Sequence, residues 1–242
     1  MVALRDSGAL PRHLPLTRIL PPRDPESLRR AVARVTDYDW LILTSPRAVK
    51  AVAVAMIQNG QTPESVAGRV RVAAVGPATA GALDALRLSP DLTPDRFVAE
   101  GLVEAFRIRG IEEEAQILLL RAEEGRAVLP AFLEGAGARI DVVAAYRTVA
   151  DQDVAKRMAE MVVAREFDAL TFTAGSAVRS FAEAWGDRGP LPAGIRIVAL
   201  GPATARELEG CGFPVDRIAS PHTIEALASA VVPRDDLDVN RS

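Results

Sequence analysis

Short apolar runs without polar alternation punctuate the chain. Trp40 to Leu43, Gln116 to Arg121 and Leu170 to Phe172 have the composition of strands buried on both faces. The first and last of these runs end in turns rich in Ser, Thr, Gly or Pro, the middle one in Ala122 to Arg126, and a segment of helical periodicity follows each. After Thr44-Ser45-Pro46 that segment runs from Arg47 to Gln58 and stops near Gly60. Strands regularly followed by helices predict parallel sheets covered on both faces, so the fold class is α/β, built on a flavodoxin-like plan.

The pattern is written twice. The block around Asp39 to Val49 returns around Asp168 to Val178, Val70 to Ala80 returns as Ile195 to Ala205, and Asp95-Arg96-Phe97-Val98 returns as Asp216-Arg217-Ile218-Ala219. The order is the same in both copies, at offsets of 129, 125 and 121 residues. Two similar lobes are the economical reading. A segment present once lies between them: Gln116 to Arg121, its turn Ala122 to Arg126, a helix from Ala127 to Glu134, and a strand from Ile140 to Val149. Leu14 to Leu20 is the expected partner for that last strand. The expected architecture is an outer lobe of residues 1–20 and 150–242, with a middle lobe of 23–145 inserted into it. A two-stranded linker near 14–22 and 143–150 joins the lobes. Asp151-Gln152 and the tail from Arg234 read as solvated linker and terminus.

Length and composition agree with this plan. A chain of 242 residues is long for one core. Its 49% hydrophobic content suits two, and 5% aromatics makes them aliphatic. A net charge of −3 leaves no basic field for nucleic acid or an anionic membrane. Cys211 alone supports neither a disulfide framework nor a Cys-rich metal site, and His13 and His222 lack zinc spacing. No leader and no apolar run of membrane-span length is present, so the expected location is the cytoplasm. No Gly-x-Gly-x-x-Gly or phosphate-loop motif follows a strand, and no histidine is placed for a catalytic triad.

The repeated turns carry the candidate chemistry. In open parallel sheets ligands gather at the carboxyl ends of strands, where free N–H groups and the helix dipole favour an anion. Gly76-Pro77, Gly201-Pro202 and Ser220-Pro221-His222-Thr223 repeat the device, glycine permitting the turn and proline opening the helix. Plain helix capping is the competing reading of any one turn. Arg47, Arg121, Arg126, Arg147 and Arg206 fall near predicted strand ends, where a guanidinium fork suits a carboxylate as well as it suits solvent.

Taken together, these residues resemble uroporphyrinogen-III synthase. The resemblance is carried by Pro15-Leu16-Thr17-Arg18-Ile19, Thr44-Ser45-Pro46-Arg47-Ala48-Val49, Val75-Gly76-Pro77-Ala78-Thr79-Ala80, Leu119-Leu120-Arg121, Tyr146-Arg147-Thr148 and Gly201-Pro202-Ala203-Thr204-Ala205. Each motif alone is weak, while their order over residues 10 to 232 is specific. The resemblance implies two α/β lobes with substrate between them, in a monomer without cofactor or metal. It implies cyclisation of the polycarboxylate hydroxymethylbilane, with loss of water and inversion of the last pyrrole ring. By the same resemblance Tyr146 is the catalytic candidate. Ser45, Thr79, Ser176, Thr204, Arg121, Gly76 and Gly201 are the substrate-binding candidates. Holding the bilane bent is mainly a task of orientation; a phenol that keeps its proton at neutral pH can assist departure of hydroxide. An interlobe packing role is the competing reading of Tyr146.

Three departures from the family pattern stand out. Ala174-Gly175 replaces the usual Ser-Pro, leaving Ser176 to cover for a lost hydroxyl, and Glu100-Gly101 lacks the usual Ser or Thr. Only Met1 to His13 precede the segment matching Leu14 to Ile19, where the family has a strand, a turn and a full helix. The expectation is a start upstream, with Val2 to Gly8 as the end of that helix. Against synthase activity stand a two-lobed protein that binds an anionic small molecule without chemistry, and an inactive fragment.

Overall fold

The computed structural model describes residues 1–232, so the tail expected from Arg234 lies outside the described residues. The first half runs α1 (Val2–Asp6), β1 (Thr17–Leu20), α2 (Pro25–Ala33), β2 (Trp40–Leu43), α3 (Pro46–Gln58), β3 (Arg71–Ala74), α4 (Pro77–Asp84) and α5 (Ala99–Arg109). It continues with β4 (Gln116–Ala122), α6 (Val128–Gly135) and β5 (Arg139–Ala150). The remainder is α7 (Gln152–Val163), β6 (Ala169–Phe172), α8 (Gly175–Trp185), β7 (Arg196–Ala199), α9 (Pro202–Gly210), β8 (Arg217–Ile218) and α10 (Ile224–Val231). The chain divides into two compact units, Ile19–Thr148 and the paired segments Met1–Arg18 with Val149–Ser242.

The Ile19–Thr148 unit is organised by a sheet of order β1-β5-β4-β2-β3. β2 runs parallel to both β3 and β4, and β4 parallel to β5. Alternate residues of its inner strands enter opposite cores, as the two-residue repeat of a strand requires. Leu41, Leu43, Leu118 and Leu120 pack under α2 and α3 with Val32, Val52 and Met56. Trp40, Ile42, Ile117 and Leu119 pack against α5 and α6 with Phe106 and Leu133. Burial on both faces is the physical reason these strands lack polar alternation.

The other unit repeats the arrangement with fewer strands. β6, β7 and β8 form a parallel sheet in that order. Leu170, Phe172, Ile197 and Ala199 face α7, α8 and α9, while Val198 faces α10 together with Leu4 of α1. Among the described residues no helix is long and apolar enough to cross a membrane.

Three expectations need correction. The strand expected over Leu14 to Leu20 is regular only from Thr17. Leu14 to Leu16 instead packs into a core, and the Leu16 carbonyl accepts hydrogen bonds from Asp151 N and Ser180 Oγ, both at 2.8 Å. Asp151-Gln152 is not a solvated linker. Asp151 caps α7 by accepting from Val154 N–H at 3.3 Å and pairs with Arg18 at 3.1 Å. The helix after Ser220-Pro221 is opened by Thr223, whose hydroxyl accepts from Ala226 N–H at 3.2 Å, so Pro221 does not open it as expected.

Candidate active site

In the Ile19–Thr148 unit the chain leaves β2 toward β3 and returns to β4 on the other side. The strand order therefore reverses between β2 and β4, and such a reversal opens a crevice at the carboxyl ends. Leu43 is in register with Leu120, and Ala122 with Tyr146 after a bulge at Arg121/Ala122. Ser45, Arg121 and Tyr146 are thus delivered to one end of three adjacent strands.

Ser45 is the N-cap of α3, with Pro46 at the first helical position. Its Oγ accepts from Ala48 N–H at 3.2 Å and donates to the Tyr146 phenol oxygen at 3.2 Å. The Ser45 hydroxyl is therefore spent on its own helix and on Tyr146. The phenol proton of Tyr146 is not used in that contact. Tyr146 is half-buried, and its carbonyl accepts from Glu123 N–H at 2.8 Å, which fixes the backbone under the ring.

Arg121 is the penultimate residue of β4, and among the described residues it pairs with no carboxylate. Burial pulls its guanidinium below the ordinary arginine value. One N–H donates to the Arg126 carbonyl and braces the turn. A Cβ on Gly125 would lie 2.7 Å from Arg121 Cδ, so glycine there makes room for the arginine stem. Arg126 is not available in the same way. It forms a two-pronged pair with Glu100 at 2.5 and 3.0 Å, which gives Glu100, one of the departures from the family pattern, a visible task. Arg147 donates to the Pro21 carbonyl at 3.2 Å, while Arg47 and Arg206 are exposed.

The Gly-Pro turns open α4 and α9 as expected, but not for the expected reason. Gly76 and Gly201 are extended (φ 178° and −162°), a conformation any residue adopts. Close approach demands the first glycine: a Cβ on Gly76 would lie 2.9 Å from Phe97 Cβ. At Gly201 the corresponding neighbour is the His222 ring, 3.5 Å from that position. Thr79 and Thr204, in the first turns of α4 and α9, are buried (2% and 6% exposed). Neither hydroxyl has a hydrogen-bond partner among the described residues. Neither oxygen is wholly enclosed.

Ser176 is a weaker candidate. It lies in the first turn of α8, whose N-cap Ala174 offers no side-chain oxygen. The Glu207 carboxylate reaches within 3.2 Å of where a Gly175 Cβ would sit, and pairs with Arg179 at 3.0 Å. That negative charge competes with any anion at this helix terminus.

A cavity of about 420 Å³ opens at the amino end of β3, away from these residues. Its Arg71 and Arg87 are already engaged by Glu112 and Glu64, while Arg69, also in its lining, is exposed and pairs with no carboxylate among the described residues. Among the described residues no group of three His, Cys, Asp or Glu is disposed to hold a metal. Sequence reasoning passed over Phe97 and His222. Their signal was a ring 21 residues after each Gly-Pro glycine.

The family model described as uroporphyrinogen-III synthase HemD matches residues 1–229. A uroporphyrinogen-III synthase of Synechococcus elongatus is 28% identical over 94% of this chain and 87% of its own. A protein of Methanothermobacter thermautotrophicus, provisionally named for the same activity, is 32% identical over 78% of this chain and 75% of its own. The fold is similar to a uroporphyrinogen III synthase crystal structure from Thermus thermophilus, at a TM-score of 0.69 and 19% identity, covering 100% of this chain and 94% of that one. On these matches, the chain belongs to the uroporphyrinogen-III synthase family of haem-biosynthesis enzymes.

Proposed function

We propose that the chain is a cyclising hydro-lyase that converts hydroxymethylbilane to uroporphyrinogen III, with Tyr146 as its proton donor. The observation that carries this reading is the hydroxyl pair Ser45–Tyr146 at the reversal point of the sheet. The phenol proton passes to the departing hydroxyl, the carbon–oxygen bond breaks, and water leaves. The methylene cation so formed is attacked by the substituted carbon of the last pyrrole ring. Rearrangement inverts that ring, the macrocycle closes, and the proton lost from the ring carbon restores the phenol. Tyr146 is thus acid first and base last, with no net proton exchanged.

Binding falls to groups that suit a carboxylate. Among the described residues no carboxylate claims the donors of Arg121 and no partner takes the hydroxyls of Thr79 and Thr204, while Gly76 and Gly201 head the helices behind them. Ser176 is included with a smaller share, given Glu207 beside it. The proposed enzyme works as a cytoplasmic monomer, without cofactor or metal. Incubation with freshly made hydroxymethylbilane, followed by separation of the isomers, tests the reading. The type III product is expected; type I alone, at the spontaneous rate, would leave a binding protein or an inactive chain.

A further inference from the structure

Both units seat a flat ring on the glycine of a Gly-Pro turn, and both rings stay exposed. Phe97 packs so closely on Gly76 that no side chain fits there, yet 58% of the residue remains exposed. His222 lies against Gly201 and is exposed as well, with its Nδ1–H donating to the Ala219 carbonyl at 2.7 Å. That bond fixes the plane of the imidazole and leaves Nε2 directed elsewhere.

The placement follows the register of the Gly-Pro turns and not that of the Asp-Arg block. Phe97 belongs to Asp95-Arg96-Phe97, and the matching position of the second copy is Ile218. The ring over Gly201 comes instead from His222, beyond Ser220-Pro221. Counted from the equivalent glycines, Phe97 and His222 occupy the same position, and a planar group stands there in both copies although the residue types differ. Leaving a phenyl largely in water forgoes a hydrophobic gain that burial would bring. At a site made of N–H groups, hydroxyls and arginine, an open apolar face has no use in holding carboxylates.

We propose that Phe97 and His222 are substrate-contacting residues, each offering the face turned from its glycine to a pyrrole ring of the bilane. The proposal rests on the reading of the site given above. Carboxylates of the substrate take the donors around each turn, while the rings orient the heterocycles by offset or edge stacking. Such contact sharpens which carbon of the last ring meets the cation, so its loss shows in product identity as well as in KM.

The test is steady-state kinetics with isomer separation on Phe97→Ala, Phe97→Leu, Phe97→Tyr, His222→Ala and His222→Phe, each checked by thermal melting. Phe97→Ala and Phe97→Leu are expected to raise KM about three- to tenfold and to increase the type I fraction. Phe97→Tyr should restore wild-type behaviour, and His222→Phe should rescue the loss seen in His222→Ala. Wild-type KM and isomer ratio in Phe97→Leu, the variant that keeps bulk without a ring, would overturn the proposal. So would failure of His222→Phe to rescue. A wild-type enzyme yielding only type I would instead remove the underlying reading of the site.

Discussion

The Ser45 hydroxyl donates to the phenol oxygen of Tyr146 at 3.2 Å, while its own oxygen accepts the Ala48 N–H at 3.2 Å. One side chain thus ties the start of α3 to the proposed acid on β5. Its orientation follows from the cap: with the backbone N–H on one lone pair, the hydroxyl proton is free to point at the phenol. Tyr146 accepts there and keeps its own proton for the substrate.

Removal of the phenol proton is expected to lower kcat about 10²-fold in Tyr146→Phe, with KM within about twofold. Ser45→Ala should cost about 1 kcal/mol of stability through the lost cap and lower kcat by displacing the ring. In a Tyr146→Phe background, Ser45→Ala should leave kcat unchanged, because both act through one proton. Independent, multiplying losses of kcat in the double variant would separate Ser45 from Tyr146.

Arg121 is predicted to act in binding. Arg121→Ala should raise KM about tenfold or more, with kcat largely kept, since a charge-assisted hydrogen bond is worth about 1.5–3 kcal/mol. Gly125→Ala provides a second route to the same defect, because the new methyl group would stand 2.7 Å from Arg121 Cδ and push the arginine aside. Unchanged KM in both variants would leave Arg121 as a brace for the Arg126 carbonyl and no more.

Gly101 is expected to be needed for folding. A Cβ there would lie 1.9 Å from the Arg96 carbonyl oxygen, at the turn that opens α5. Gly101→Ala should destabilise the protein by about 1–3 kcal/mol, read from the urea midpoint, because backbone and not a flexible side chain has to give way.

Strands and caps were legible in the sequence because they are local. Trp40–Leu43 shows its double burial in four consecutive apolar residues, and Ser45-Pro46 shows its cap in the order of two side chains. The candidate site was legible only as a set of positions. Its working differs from the expectation wherever a distant neighbour decides. Ser45, expected to hold substrate, spends its hydroxyl on Tyr146. Gly76, expected to permit a turn, instead clears space for Phe97, which follows in a different loop. Glu207 shadows the turn at Gly175 from another helix, and Glu100 claims Arg126. Apolar periodicity carries no trace of such tertiary approaches.

Alkaline titration should report on the bond that holds Tyr38, one of the chain's two tyrosines. Tyr38 is buried at 7% exposure, donates to the Asp141 carboxylate, and has Arg34 3.8 Å from that same carboxylate. Loss of solvent around the phenol, then its bond to Asp141, push it up to about 12 from the ordinary value near 10. The folded state therefore holds this proton more tightly than the unfolded chain does. Its contribution to stability is complete below about 10 and is lost as pH rises through about 12. In Tyr146→Phe, where Tyr38 is the one remaining tyrosine, phenolate absorbance should rise near 12 or with unfolding, whichever comes first. Tyr38→Phe should cost about 1 kcal/mol at neutral pH and flatten the loss of stability over that alkaline range. Phenolate appearing near 10 in a still-folded Tyr146→Phe protein would show that Asp141 does not hold the Tyr38 proton.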